Sequence, residues 1–169
     1  MRDVQRGGGG QGEMGIRDGI SAKRGAVPSF LTGGTIVHDH WKSYYAHMSG
    51  VDAHALCGAH HLRELKAIEE IEKEPWACAM SVLLNSANQL KSAAQGRGET
   101  ELPASVHHAI LTKYMAILTE GLAFHERQDP LARRPRARGR KAKRPGHNLL
   151  VRLRDYRDDV LRFLTDFTV

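Results

Sequence analysis

The chain has 169 residues, 41% of them hydrophobic, 26% charged and 6% aromatic, with a formal net charge of +6. That balance suits one globular domain, or a core with an inserted subdomain. No run approaches the roughly 18–20 apolar residues of a membrane span, two cysteines exclude a disulfide framework, and the basic excess points to a polyanion, nucleic acid first.

Residues 1–27, which include Gly7-Gly8-Gly9-Gly10, carry no helical or alternating apolar pattern. Ordering so many glycines is entropically expensive and few large side chains offset it, so this stretch is expected to be disordered. It also lacks the apolar centre of a signal peptide. With so few cysteines, a reducing cytoplasm is the expected compartment.

Residues 28–74 open on Pro28 and the breaker Gly33-Gly34. Thr35-Ile36-Val37 is a β-favouring run without alternation, which predicts a short strand covered on both faces. Trp41 to about His47 reads as a short helix. A second strand over Asp52–Cys57 would complete a compact parallel βαβ unit, and the next helix places Leu62, Leu65 and Ile68 on one face. Residues 75–127 read as a helical insertion. Pro75 suits a first turn, a stripe of Met80, Leu83, Leu84, Ala87 and Leu90 runs to Gly96-Arg97-Gly98, and a second helix from Pro103 carries Val106, Ile110, Tyr114, Ile117 and Leu118, weakened near its end by Gly121. The short connection predicts an antiparallel hairpin.

In residues 128–147, Arg133, Arg134, Arg136, Arg138, Arg140, Lys141, Lys143 and Arg144 alternate with Pro, Gly and Ala. Like charges repel and there is no apolar face, so a flexible loop is expected. Without aromatics it would hold a nucleic-acid backbone rather than stack on bases; a solvated linker is the plain alternative. Residues 148–169 read as one last helix, capped by Asn148 and bearing Leu149, Leu150, Leu153, Val160, Leu164 and Phe167. The chain looks cut off within a domain. The expected class is mostly α with a small β remnant.

Two clusters carry chemistry. In Val37-His38-Asp39-His40-Trp41-Lys42, Asp39 stands at the C-terminal edge of a buried strand, where α/β sheets gather their ligands. Its carboxylate could hold a hard cation such as Mg²⁺, or simply cap the following helix. In the second, Cys57-x-x-His60 with His61 has a spacing found in zinc sites; the other reading is a strand-end cysteine beside histidines that hydrogen-bond near Asp39. Arg63 could pair with neighbouring acids or face phosphate. His38-Asp39 also matches the dyad of His-Asp metal phosphohydrolases, which normally rides on a helix.

The run Val37-His38-Asp39-His40-Trp41-Lys42-x-Tyr44, followed by His54-Ala55-Leu56-Cys57-x-Ala59-His60-His61-Leu62-Arg63-Glu64-Leu65, resembles the insertion-sequence-66 family of bacterial transposases. So does the later order of helical insertion, basic loop, Asn148-Leu149-Leu150-x-Arg152-Leu153 and Val160-Leu161-Arg162-Phe163-Leu164-x-Asp166-Phe167. The similarity runs from about Pro28 to Val169; Ser43 replaces a proline usual after Trp-Lys. The resemblance implies an RNase H-like core of the DDE type, binding two Mg²⁺ (or Mn²⁺) and cutting and joining transposon-end DNA in the bacterial cytoplasm at the nucleoid, with a possible oligomer. Asp39 would be the second acid and a metal ligand. Cys57, His60, His61 and Arg63 would shape the site, and Lys42 with the loop cations would hold DNA. The family's first acid and final Glu find no match here, which implies a chain truncated at both ends and without strand transfer of its own. A non-catalytic DNA-binding module remains the alternative.

Overall fold

A computed structural model describes residues 33–47, 50–131 and 142–169. The expected disordered segment and the loop cations Arg133, Arg134, Arg136, Arg138, Arg140 and Lys141 lie outside the described residues.

Gly33 and Gly34 both take positive φ, 77° and 75°, a conformation that glycine adopts without a side-chain penalty. The turn they make lets the Gly34 N–H donate to Asp52 Oδ2 at 2.7 Å, and it delivers the chain into β1 (Thr35–His38). The short helix α1 (Lys42–His47) then leads to β2 (Ala53–Leu56). The strands pair in parallel, Thr35 opposite Ala53 and His38 opposite Leu56, as the βαβ reading expects.

Coverage of β1 differs from expectation. His38 is buried against the rings of Tyr44 and Tyr45, but Val37, on the opposite face, is 51% exposed. Among the described residues the sheet has two strands. The Val37 side borders a cavity of about 310 Å³ between Leu56, Leu84 and Phe163 instead of a packed layer.

Helix α2 (Gly58–Ala67) buries His61 and Leu65, and Ile68 follows on the same side. The helix loosens into a π turn over Ile68–Glu72, which Lys73 ends at φ 57°. Pro75 occupies the first turn of α3 (Pro75–Gly96), where its missing N–H is no loss. Helix α4 (Ala104–Glu126) starts just after Pro103. Gly121, near the end of α4, lies against Trp76 at the start of α3, so the two run antiparallel. Helix α4 continues through Gly121 to Glu126. A β-carbon at Gly121 would lie 2.7 Å from a Leu150 methyl, so this glycine gives Leu150 of α5 the room it occupies.

The single C-terminal helix expected from Asn148 is instead three pieces. Helix α5 (Pro145–Asp155) begins three residues early, and Asn148 Nδ2 donates to the Lys143 carbonyl at 3.4 Å instead of capping. Tyr156 then leaves helical geometry, and α6 (Arg157–Val160) and a 3₁₀ turn (Arg162–Leu164) follow. The break serves tertiary bonds: Asp159 reaches the Tyr45 hydroxyl at 2.8 Å, and Asp166 accepts from Thr35 Oγ1 at 2.9 Å. Leu65, Met80, Tyr114, Leu118, Leu150 and Leu153 are all within 1% of full burial and form the centre of one helical core. The small sheet sits at its edge.

Candidate functional site

Asp39 follows the last residue of β1, on the exposed carboxyl edge of the strand pair. Its Oδ1 accepts the Trp41 backbone N–H at 3.2 Å, so the carboxylate caps α1 while keeping its second oxygen free of protein hydrogen bonds among the described residues. His38, one residue earlier, points into the protein. Its Nε2 lies 2.9 Å from His54 Nδ1 on β2, a link between the two strands. His40 stands edge-on to Tyr156 at 4.2 Å between ring centroids. Burial first, then the nearby charges of Arg152, His61 and Lys42, keep the His40 imidazole below its usual pKa.

Cys57 joins the two clusters through its backbone. Its N–H donates to the His38 carbonyl at 2.9 Å, and its own carbonyl accepts from the His60 and His61 N–H groups at 3.1 and 3.2 Å. The strand end that carries Asp39 is thereby fixed to the first turn of α2. The side chains go elsewhere. Arg63 is exposed, with Nε donating to the Ala59 carbonyl at 3.3 Å. His60 and His61 approach Glu64, at 3.8 and 3.6 Å, rather than Asp39. Among the described residues no three His, Cys, Asp or Glu side chains group as metal ligands. Neither a zinc centre on Cys57 and His60 nor a two-metal clamp on Asp39 therefore finds its full donor set among them.

Reading the sequence alone misses Glu64 and Arg152. Arg152 of α5 donates to Glu64 Oε2 at 2.5 Å across 88 residues of chain. Burial raises the Glu64 pKa, but the His61 ring and the Arg152 guanidinium outweigh it and hold the carboxyl down to about 2. At 3.6 Å the His61 Nδ1 is too far for a good hydrogen bond, so the guanidinium is the firmer partner. The i, i+3 and i, i+4 spacing of His61, His60 and Glu64 was the available local signal; the long-range partner had none.

Because the folded pKa lies below the ordinary 4.5, ionised Glu64 stabilises the fold above about pH 4.5, and this contribution is lost as pH falls toward 2. Glu64 is 33% exposed, so after screening the effect is about 1–2 kcal/mol. Glu64→Gln should therefore flatten the acid limb of a melting-temperature profile. An unchanged acid limb would show that the pair is not coupled to folding.

Glu64 and Arg152 line a groove of about 480 Å³ that begins at His40, beside Asp39, and ends at Pro145 and Asn148. Pro145 adjoins the described root of the basic loop. There Arg144 Nη1 donates to the Asp129 carbonyl at 2.9 Å, which closes the neck of the loop. Lys143 lies 3.5 Å from His147 Nε2. Lys42 is exposed at the start of α1. The structure thus brings Lys42 to the Asp39 edge, while Lys143 and Arg144 line a separate cavity with His125 and Asp129, next in the chain to Pro145 of the groove.

Residues 35–38 are a strand, so the His38-Asp39 dyad lacks the helical setting of a His-Asp phosphohydrolase. No helix among the described residues is long and apolar enough to cross a membrane. Compared with known proteins, residues 20–169 match the family described as Transposase IS66 family, a match that starts earlier than the motif resemblance at Pro28. No curated protein and no solved structure matches the chain. With the match spanning nearly all of the sequence, the chain belongs to the IS66 transposase family.

Proposed function

We propose that this chain supplies part of a DDE-type catalytic domain, with Asp39 as its second acid, and that it engages transposon-end DNA along the groove from Lys42 and His40 to the basic loop. The observation that carries this reading is the groove itself, whose lining includes His40, the residue after Asp39, together with Arg152 and Pro145, the residue after Arg144. A DNA backbone lying there would pass Arg152 and His40, with Lys42 two residues beyond His40 in the chain and Lys143 and Arg144 just before Pro145. Cys57, through its two-way backbone bonds, and His60, His61 and Arg63, on the helix that follows, shape the ground beside it.

In the intact family site, two Mg²⁺ or Mn²⁺ ions would polarise the phosphodiester and activate the attacking oxygen. The described residues do not fit such a pair, since Asp39 is a single carboxylate with one oxygen committed to a helix cap. We therefore infer that the chain alone binds DNA without strand transfer. Incubation with donor-end DNA and Mg²⁺ should give no cleavage, while binding should weaken steeply with salt as counterions are reabsorbed. Neutralising Lys143 and Arg144 should lower the slope of log K against log salt by about 1–2. Robust cleavage abolished by Asp39→Ala would overturn the inactive reading. An unchanged salt slope would remove the loop root from the DNA interface.

A further inference from the structure

The cavity of about 310 Å³ beside Val37 takes its walls from two helices as well as from the sheet. Gly58, Ala59, His61 and Leu62, at the start of α2, form one side. Leu84, Asn88 and Lys91, four and three residues apart on one face of α3, form another. Leu56, Val160 and Phe163 make the rest of the wall largely apolar.

Three polar features line this space. The first is the start of α2. The Cys57 carbonyl takes the His60 and His61 N–H groups, but those of Gly58 and Ala59 find no acceptor among the described residues. No side chain caps the helix and no acid stands in its first turn. Free N–H groups at the positive end of a helix dipole attract an anion. Gly58 leaves the backbone bare there, since a β-carbon on it would meet nothing within 4 Å.

The second is His61, which is 1% exposed and has both ring nitrogens without a hydrogen-bond partner among the described residues. Its Nδ1 stops 3.6 Å from Glu64, beyond a good hydrogen bond. A buried polar group left unmatched is costly, and a ligand that meets it recovers that cost. The third is Lys91, a cation at 8% exposure. It donates to the Val169 carbonyl and pairs with no Asp or Glu side chain among the described residues. Asp159 also borders the cavity, but its carboxylate is held by the Tyr45 hydroxyl at 2.8 Å and lies 3.7 Å from Arg162.

We infer that this cavity binds a small organic anion, a single carboxylate or phosphate head on an apolar body. The head accepts from the Gly58 and Ala59 N–H groups and the His61 ring, with the Lys91 ammonium on the facing helix. The body lies against Leu56, Leu84 and Phe163. Ligand sites run from about 300 to 1,000 Å³, so a cavity of this size takes a small molecule. The inference is independent of the DNA reading, because the cavity and the groove at Arg152 share no lining residue.

Isothermal titration calorimetry of the nuclease-treated full chain with octanoate and with octyl phosphate tests this. Inorganic phosphate serves as the head alone and octanol as the body alone. The expected result is saturable uptake of a single equivalent of octanoate or octyl phosphate, the tighter of the two assigning the head, with both half-probes weaker by about tenfold or more. Lys91→Met keeps an apolar side chain in place and should weaken binding by about tenfold or more, the loss expected with a charged hydrogen bond. Gly58→Leu sends a side chain into the open space over the free N–H groups. It should weaken binding equally and carries the test should Lys91→Met fold poorly. A chain that takes up neither two-part probe overturns the inference. So does binding unchanged by both substitutions, which would place the site elsewhere. A half-probe that binds as tightly as the two-part probes also overturns it, since the walls or the head would then contribute nothing.

Discussion

Replacing Glu74 with alanine should destabilise the chain by about 3–5 kcal/mol, the range for removing one partner of a buried charged cluster. Glu74 is 3% exposed. Its Oε2 accepts the Trp76 indole N–H at 2.6 Å and lies 3.0 Å from His125 Nε2, which donates in the Nε2–H tautomer. Truncation leaves both donors buried and unmatched, at about 1–3 kcal/mol each, and opens a void. The same carboxylate lies against Gly146, where an added β-carbon would fall 2.8 Å from Glu74 Cδ and closer still to one oxygen. Gly146→Ala should accordingly cost about 2–3 kcal/mol, although alanine normally favours a helix over glycine. Urea titration of both variants is the measurement. With a total stability of about 5–15 kcal/mol expected for a domain, a Glu74→Ala chain within about 1 kcal/mol of the parent would mean the cluster does not hold the fold.

A second large effect should emerge at the crossing of α4 and α5, where Leu150→Ala is expected to cost about 2–5 kcal/mol as a cavity-forming change at a fully buried leucine. Gly121→Ala should also destabilise, because its new methyl would sit 2.7 and 2.9 Å from the two Leu150 methyls. The two changes should not add. With Leu150 truncated, the Gly121 methyl enters vacated space and limits its encounter to Trp76 Cγ at 3.0 Å. It then recovers part of the roughly 1 kcal/mol helix preference of alanine. A double-mutant cycle should return a favourable coupling of about 1–2 kcal/mol; strict additivity would show that Leu150 and Gly121 do not share that space.

Local chemistry made most of the helical elements legible. Pro75 and Pro103 marked real helix starts, Gly96-Arg97-Gly98 a real stop, and the stripes on α3 and α4 are largely buried. The first strand followed from β-branched residues after a double glycine, whereas Ala53–Leu56 carries no such run and was open to either reading. Two failures share one cause. Asn148 looked like a cap and Gly121 like a weak point, because each was judged by its neighbours in sequence, whereas Pro145 sets the helix start and Leu150, from another helix, sets the glycine. The same holds for the site. Asp39, Lys42 and Cys57 could be picked out by position at a strand or helix end. Glu64 looked like an ordinary surface acid until Arg152 was seen beside it. Glu74 gave no signal at all, since nothing in Lys73-Glu74-Pro75 tells of His125 or Gly146. Buried polar partners that come from distant parts of the chain leave no period to read.

The bonds that tie β1 and α1 to the rest of the protein span long stretches of chain: Thr35 to Asp166 over 131 residues and Tyr45 to Asp159 over 114. Closing such loops costs entropy before any contact is made, whereas the α3–α4 hairpin closes locally. The strand that presents Asp39 is therefore held by residues synthesised more than 100 positions after it, and its bonds to Asp159 and Asp166 wait until those residues are made.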